Sequence, residues 1–210
     1  MKNLEKQKIL IDIDDTLLKS SEEIIRELNL KNGTNKTIDN LKDYGYRSID
    51  KNITKQDITY MYGSETFWSN VEFNDYAIDF LRKYSNIFSI IFISYGDCKN
   101  LTYKESFIYR MVAKYNLTEI GFIGCDNTIN ETNKSEVLLS NVYMAIDNHA
   151  GHLEQLNSPK KVLFKNGQDV TWNRVPINSD WYVVDNFKDI ETMIDFDLIL
   201  KEENICIGSC

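Results

Sequence analysis

Residues Lys8–Leu17 read KILIDIDDTL. An apolar, β-branched run that ends abruptly in acids predicts a buried strand over Lys8–Ile13. Asp12 and Asp14 are two apart, so on an extended chain they point to one side. Two carboxylates held together repel, and either one is protonated or a cation sits between them. Both outcomes suit phosphoryl transfer: one carboxylate attacks phosphorus and its neighbour holds or shuttles a proton. A hard divalent ion such as Mg²⁺ takes oxygen ligands of this kind. The competing reading is a solvated acidic turn after a strand.

Outward from this stretch, the chain alternates strands and helices. Ser20 and Glu23 have capping-box spacing ahead of Ile24, Ile25 and Leu28, predicting a helix from near residue 21 that ends at Asn32-Gly33. Residues from about 34 to 70 are polar, aromatic and weakly periodic. Helical spacing resumes at Tyr76, Ala77, Phe80, Leu81 and Tyr84, behind an Asn cap at Asn74. Ile87–Ser94 reads as a strand apolar enough to be covered on both faces. Phe107, Ile108, Met111, Val112 and Tyr115 mark a helix. Glu119–Gly124, Val142–Ile146, Lys161–Phe164 and Trp181–Val184 are strand candidates. Asn166-Gly167 is positioned to turn a hairpin between KVLF and DVTW. Phe187, Ile190, Met193 and Ile194 mark a last helix, with a frayed tail after about Glu202. This alternation predicts an α/β fold with a doubly wound, mostly parallel sheet. Ligands of such sheets sit outside the carboxyl ends of the strands.

Composition narrows the function classes. The chain has 210 residues, 24 basic against 32 acidic side chains and a net charge of −8. That balance argues against a nucleic-acid polymer or an anionic membrane as partner. The four cysteines form no C-x-x-C pair and the two histidines lie together at His149 and His152, so no zinc spacing exists. Without a secretory leader or an apolar run near ~20 residues, the expected location is cytoplasmic.

Three further strand ends carry chemistry. Ser94-Tyr95-Gly96 offers a hydroxyl and neighbouring backbone N–H groups to a phosphate oxygen. Lys134, in Asn133-Lys134-Ser135, is placed to neutralise nucleophile and phosphate charge; a solvated lysine is the bland alternative. Asp147-Asn148-His149 ends a buried strand, where Asp147 completes a metal site or caps a helix.

The order of these features resembles the haloacid dehalogenase (HAD) superfamily of aspartyl-phosphate phosphohydrolases. Its pattern is a strand with DxDx[TV][LV], a strand-terminal Ser or Thr, a Lys, and an acidic motif after a strand. Here these read ILIDIDDTL, IIFIS, NKS and MAIDN. Leu28–Tyr46 (LNLKNGTNKTIDNLKDYGY) and the late Phe164…Trp172-Asn173-Arg174…Trp181 resemble the 5′(3′)-deoxyribonucleotidase-like branch. The resemblance implies a Rossmann-like HAD core over 1–18 and 74–202, a small helical cap over 19–73 inserted after the first strand, and a tail over 203–210. It implies Asp12 as nucleophile and Asp14 as general acid and base. Mg²⁺ would sit on the Asp12 carboxylate, the Asp14 carbonyl and Asp147. Ser94, Tyr95, Lys134 and, on looser spacing, Lys104 would bind phosphate. Two positions depart from the branch: Asp15 stands where Gly is usual, and Asn148 where a second Asp is usual.

The reading is a Mg²⁺-dependent phosphatase for nucleoside 5′- or 3′-monophosphates, with Tyr44, Tyr46, Tyr62, Phe67 and Trp68 as aromatic supply for a base. Its partner is a small phosphorylated substrate, and a homodimer is compatible with it. The alternatives are a HAD phosphatase for another phosphoester such as a sugar phosphate, and a weakly active or non-catalytic binding protein, which Asn148 motivates. A phospho-acceptor receiver domain ranks last, because such domains have no insert of this size.

Overall fold

The computed structural model describes residues 5–126, 134–168, 170–177 and 179–207, with backbone alone for 201–207. Asn133, Asp169 and the last three residues, 208–210, lie outside the described residues. Six strands form one sheet: β1 (Lys8–Ile11), β2 (Ser89–Gly96), β3 (Ile120–Asp126), β4 (Val142–Asp147), β5 (Lys161–Phe164) and β6 (Tyr182–Val184). Their order is β3-β2-β1-β4-β5-β6 and every pairing is parallel. Crossovers run through α4 (Ala77–Tyr84), α5 (Cys98–Tyr115) and α6 (Ala150–Gln155), and α7 (Phe187–Ile207) closes the chain.

Alternation along the strands fills both faces. Ile9, Ile11, Ile90, Phe92, Met144 and Ile146 point to one side, where Phe80, Tyr84, Phe187 and Ile190 meet them. Leu10, Ile93, Ala145 and Leu163 point to the other, against Leu153 and Leu156. A strand covered on both faces gains from apolar residues at every position, which explains IFSIIFIS. The topological switch falls between β1 and β4, so the Asp12-Ile13-Asp14 end and the Asp147 end are neighbours.

The segment between β1 and α4 carries α1 (Ser20–Asn32), α2 (Lys55–Tyr62) and α3 (Glu65–Asn70). The chain leaves and re-enters the sheet layer at one place. Leu18 bridges Phe73, Lys19 N–H donates to Glu72 O at 2.8 Å, and Asn74 N–H donates to Leu17 O at 2.9 Å.

Several sequence expectations are corrected. Ser20 and Glu23 make no capping box: Lys19 is the N-cap, Ser20 Oγ donates to Asp14 and Glu23 pairs with Arg26. Asn74 does not cap α4 with its side chain, which instead donates to Thr16 O at 2.8 Å. Asn166-Gly167 does turn the chain with positive φ at both residues, but no hairpin follows. Thr171–Asn173 is a short 3₁₀ turn, and β6 then joins β5 in parallel. The fifth helix begins at Cys98, nine residues before the apolar series that predicts it, because Asp97 caps it and its first half faces the strand ends. The backbone of α7 stays helical past Glu202 to Ile207.

Candidate active site

The carboxyl ends of β1, β2 and β4 converge on a polar cluster buried under the helical segment. At its centre Lys134, with no exposed surface, donates to Asp12 Oδ1 at 2.6 Å and to Asp147 Oδ2 at 2.5 Å. Asp147 Oδ1 takes the His149 N–H at 2.8 Å, so β4 and its following turn fix that carboxylate completely. Lys134 is held from behind: its backbone N–H donates to the Tyr95 hydroxyl at 2.6 Å, and Tyr95 in turn donates to Gln155 Oε1 at 3.0 Å.

A second cluster surrounds Asp14. Lys104, 1% exposed, donates to Asp14 Oδ2, to Ser94 Oγ at 2.7 Å and to Tyr95 O at 2.7 Å. Ser94 Oγ lies 3.4 Å from Asp14 Oδ2, and Ser20 Oγ donates to Asp14 Oδ1 at 3.0 Å. Each of these side-chain partners of Asp14 is a donor.

Charge in the first cluster does not balance. Burial pushes the Asp12 carboxyl up to about 7 against the pull of Lys134, and Asp147 and Asp14 push the same way. Burial alone would depress the Lys134 ammonium, but Asp12 and Asp147 outweigh it and hold it above the usual lysine range. One ammonium thus serves two buried carboxylates. Among the described residues no three His, Cys, Asp or Glu side chains converge tightly enough to hold a metal ion. The expected set needs only two, Asp12 and Asp147, with the Asp14 carbonyl as third donor. Surplus negative charge on hard oxygen donors fits a divalent cation of the Mg²⁺ class.

The loop after β1 is tied down at each residue. Asp15 sits at φ 56°, a left-handed conformation Asp tolerates better than most residues, and its carboxylate accepts from Ser21 N–H at 2.6 Å and from Ser21 Oγ. Ser21 Oγ also meets the Tyr46 hydroxyl at 2.7 Å. Burial pushes the Asp15 carboxyl up to about 6. Thr16, fully buried, accepts the Asn148 N–H at 3.0 Å and so staples β1's loop to β4's.

Above both clusters opens a cavity of 880 Å³. Asp12, Asp14 and Lys104 form its floor, and Tyr44, Tyr62, His149 and Trp172 are among its walls. Tyr44 meets the rings of His149 and Trp172 edge-on at 5.7 and 5.6 Å. His149 stacks on His152 at 4.0 Å, and His152 packs on Tyr95 at 4.8 Å. Gly96 has no room for a side chain: a Cβ there would lie 2.2 Å from Asn100 Oδ1, and Asn100 Nδ2 donates to Tyr62 O at 3.3 Å.

All the residues singled out by sequence therefore lie together, in two linked groups rather than one. Asp12, Lys134 and Asp147 form the first. Asp14, Ser94 and Lys104 form the second, and Tyr95 stands between them with its hydroxyl committed to positioning Lys134. Of the five aromatics, Phe67 and Trp68 are buried packing residues, while Tyr44, Tyr46 and Tyr62 line the cavity, Tyr46 with its hydroxyl on Ser21 of the Asp15 relay. Sequence reasoning did not anticipate the wall of His149, His152 and Trp172. The histidine i, i+3 spacing just after an acidic strand end was the available signal.

No family model matches the chain, and no curated protein sequence matches it. Solved structures do. A haloacid dehalogenase-like family hydrolase, SP0104, from Streptococcus pneumoniae is 12% identical with a TM-score of 0.56, over 90% of this chain and 98% of that one. A predicted phosphatase from Clostridium acetobutylicum is 14% identical with a TM-score of 0.57, over 91% and 99%. The HAD-type protein YfnB from Bacillus subtilis, in a structure bound to magnesium, is 13% identical with a TM-score of 0.54, over 90% and 99%. At these identities the likeness establishes the fold: the chain has the α/β fold of HAD-like hydrolases.

Proposed function

We propose that this chain is a HAD-type phosphatase, Mg²⁺-dependent, that hydrolyses nucleoside monophosphates through an aspartyl-phosphate. The observation that carries the reading is the convergence of Asp12, Asp14, Ser94, Lys134 and Asp147 at adjacent strand ends. Residues 19–73 would act as the cap over a core made by the rest of the chain.

The geometry divides the labour. Asp12 Oδ1 is held by Lys134, so its other oxygen is the one to form the bond to phosphorus as the ester P–O bond breaks. Asp14 gives the leaving oxygen its proton, then takes one from the water that cleaves the aspartyl-phosphate. Asp14 begins tied to Lys104 and Ser94. A phosphate competing for those two donors would release it and leave it free to hold a proton. Mg²⁺ held by Asp12, the Asp14 carbonyl and Asp147 would supply charge for the transferring group. Tyr44, Trp172 and His149 offer edges and faces to a planar leaving group.

The test is phosphate release from deoxy- and ribonucleoside 5′- and 3′-monophosphates and sugar phosphates, with Mg²⁺ and with EDTA. Metal-dependent release from nucleotides is expected. Release confined to sugar phosphates would move the substrate, and no release from any ester would end the phosphatase reading.

A further inference from the structure

The cavity is larger than one phosphate needs, and its charge is unevenly spent. The floor cation Lys104 is paired with Asp14, and Lys134, buried beneath the floor, with Asp12 and Asp147. Two more cations, Arg47 and Lys55, line the same cavity at its exposed rim. Neither has an ion-pair partner among the described residues. The rim acids do not serve them. Asp43 accepts the Arg47 and Ser48 backbone N–H groups at 2.9 and 2.7 Å, and Asp97 caps α5 through the Asn100 N–H.

Helix α2 sets the depth. Lys55, Ile58, Thr59 and Tyr62 all line the cavity, one face at i, i+3, i+4 and i+7. Tyr62, at the inner end, has its ring 5.7 Å from Lys104 Nζ, which holds Asp14. Lys55, at the outer end, stands about 10 Å further along the helix axis. It is also the first residue of α2, where the helix dipole favours an anion.

We infer that Arg47 and Lys55 form a second anion site at the cavity rim, and that among the nucleotides of the proposed reading the chain prefers one carrying a second phosphate or carboxylate that reaches this rim. The inference takes the position of the reacting phosphate from the phosphatase reading. A monoanionic ester fills only the floor. A bis-anionic one bridges floor and rim, and its second group neutralises two cations that otherwise face solvent.

Calorimetry on the intact chain with Mg²⁺ tests this. The ligands are hexyl phosphate, 1,6-hexanediol bisphosphate and 6-phosphonooxyhexanoate. The bisphosphate is expected to bind at least tenfold tighter than hexyl phosphate, and the carboxylate arm shows whether the rim demands phosphate. Arg47→Ala/Lys55→Ala should bring the ratio close to one, while Arg47→Lys retains much of it. Both side chains are exposed, so the fold does not depend on them. A ratio near one in the wild-type chain, or a ratio unchanged in the double variant, overturns the inference. Turnover of p-nitrophenyl phosphate is measured beside it. Absent turnover with the binding ratio intact would sink the phosphatase reading and leave the rim site standing.

Discussion

Lys134 Nζ lies 2.6 Å from Asp12 Oδ1, and the two residues are 122 positions apart in the chain. The ammonium orients the carboxylate and leaves its other oxygen for chemistry. Asp12→Asn keeps the shape and removes the proposed nucleophile. Turnover of p-nitrophenyl phosphate should fall by roughly 10³-fold or more, as when a nucleophile is removed elsewhere, with the circular dichroism spectrum unchanged. Substantial residual activity would contradict covalent catalysis by Asp12.

Removing the ammonium strands two carboxylates. Lys134→Met should cost about 3–5 kcal/mol, the usual cost of breaking a buried pair. Without Lys134 the Asp12 carboxyl, already raised by burial, loses the charge that pulls it back down. A carboxyl whose folded pKa is raised contributes stability at low pH and loses it as pH climbs. The deficit in urea unfolding should therefore be larger at pH 8 than at pH 5. An equal deficit would mean that lost packing, not stranded charge, is the cause.

His152 gives the opposite sign. Burial pushes its imidazole down to about 4, and His149 is lowered for the same reason. The unfolded chain takes up a proton near pH 6.5 and the folded one resists until about 4, so stability drains as pH falls across that window. Asp12 and Asp15, raised to about 7 and 6, work against this trend over much of the same range. Comparison with His152→Phe isolates the histidine: the variant's melting temperature should fall less between pH 6.5 and 4. Parallel curves would count against a neutral buried imidazole.

Asp15 combines a left-handed backbone with a half-buried, hydrogen-bonded carboxylate. Asp15→Ala loses both features and should destabilise more than Asp15→Asn, which tolerates the conformation and keeps an acceptor. The difference should be about 1–2 kcal/mol. Equal losses would show that neither the strain nor the acceptor matters.

Asn148 lines the cavity with an amide where a second acid would add charge. Asn148→Asp should lower the Mg²⁺ concentration needed for half-maximal activity, because the backbone anchor to Thr16 Oγ1 is independent of the side chain. A higher requirement would mean that the amide has a role of its own.

Much of this was legible from residues alone. Asp12, Asp14, Ser94 and Asp147 sit at strand ends, and strand ends show as apolar runs with a polar stop. Parallel packing then obliges them to meet. Lys104 was harder to place because the polar first half of α5 hides its start, and its burial depends on Asp14 and Ser94 arriving from other elements. The Asp15–Ser21–Tyr46 relay could not be read, since a left-handed Asp and a turn between two helices leave no periodic trace. For Phe67 and Trp68 the sequence left base contact and packing equally open; the two rings pack on each other, and Trp68 also packs on Phe107.

The central position of β1 also has a consequence for biosynthesis. Its neighbours are β2, which begins at Ser89, and β4, which begins at Val142. As the ribosome delivers the chain, Asp12 is made 122 residues before Lys134, and Asp147 follows 13 residues later. Asp12 therefore stays without its counter-charge until that later stretch has been made. The nascent chain carries Asp12 in water until the fourth strand docks, so assembly of the sheet and completion of the cluster around Lys134 are one late event.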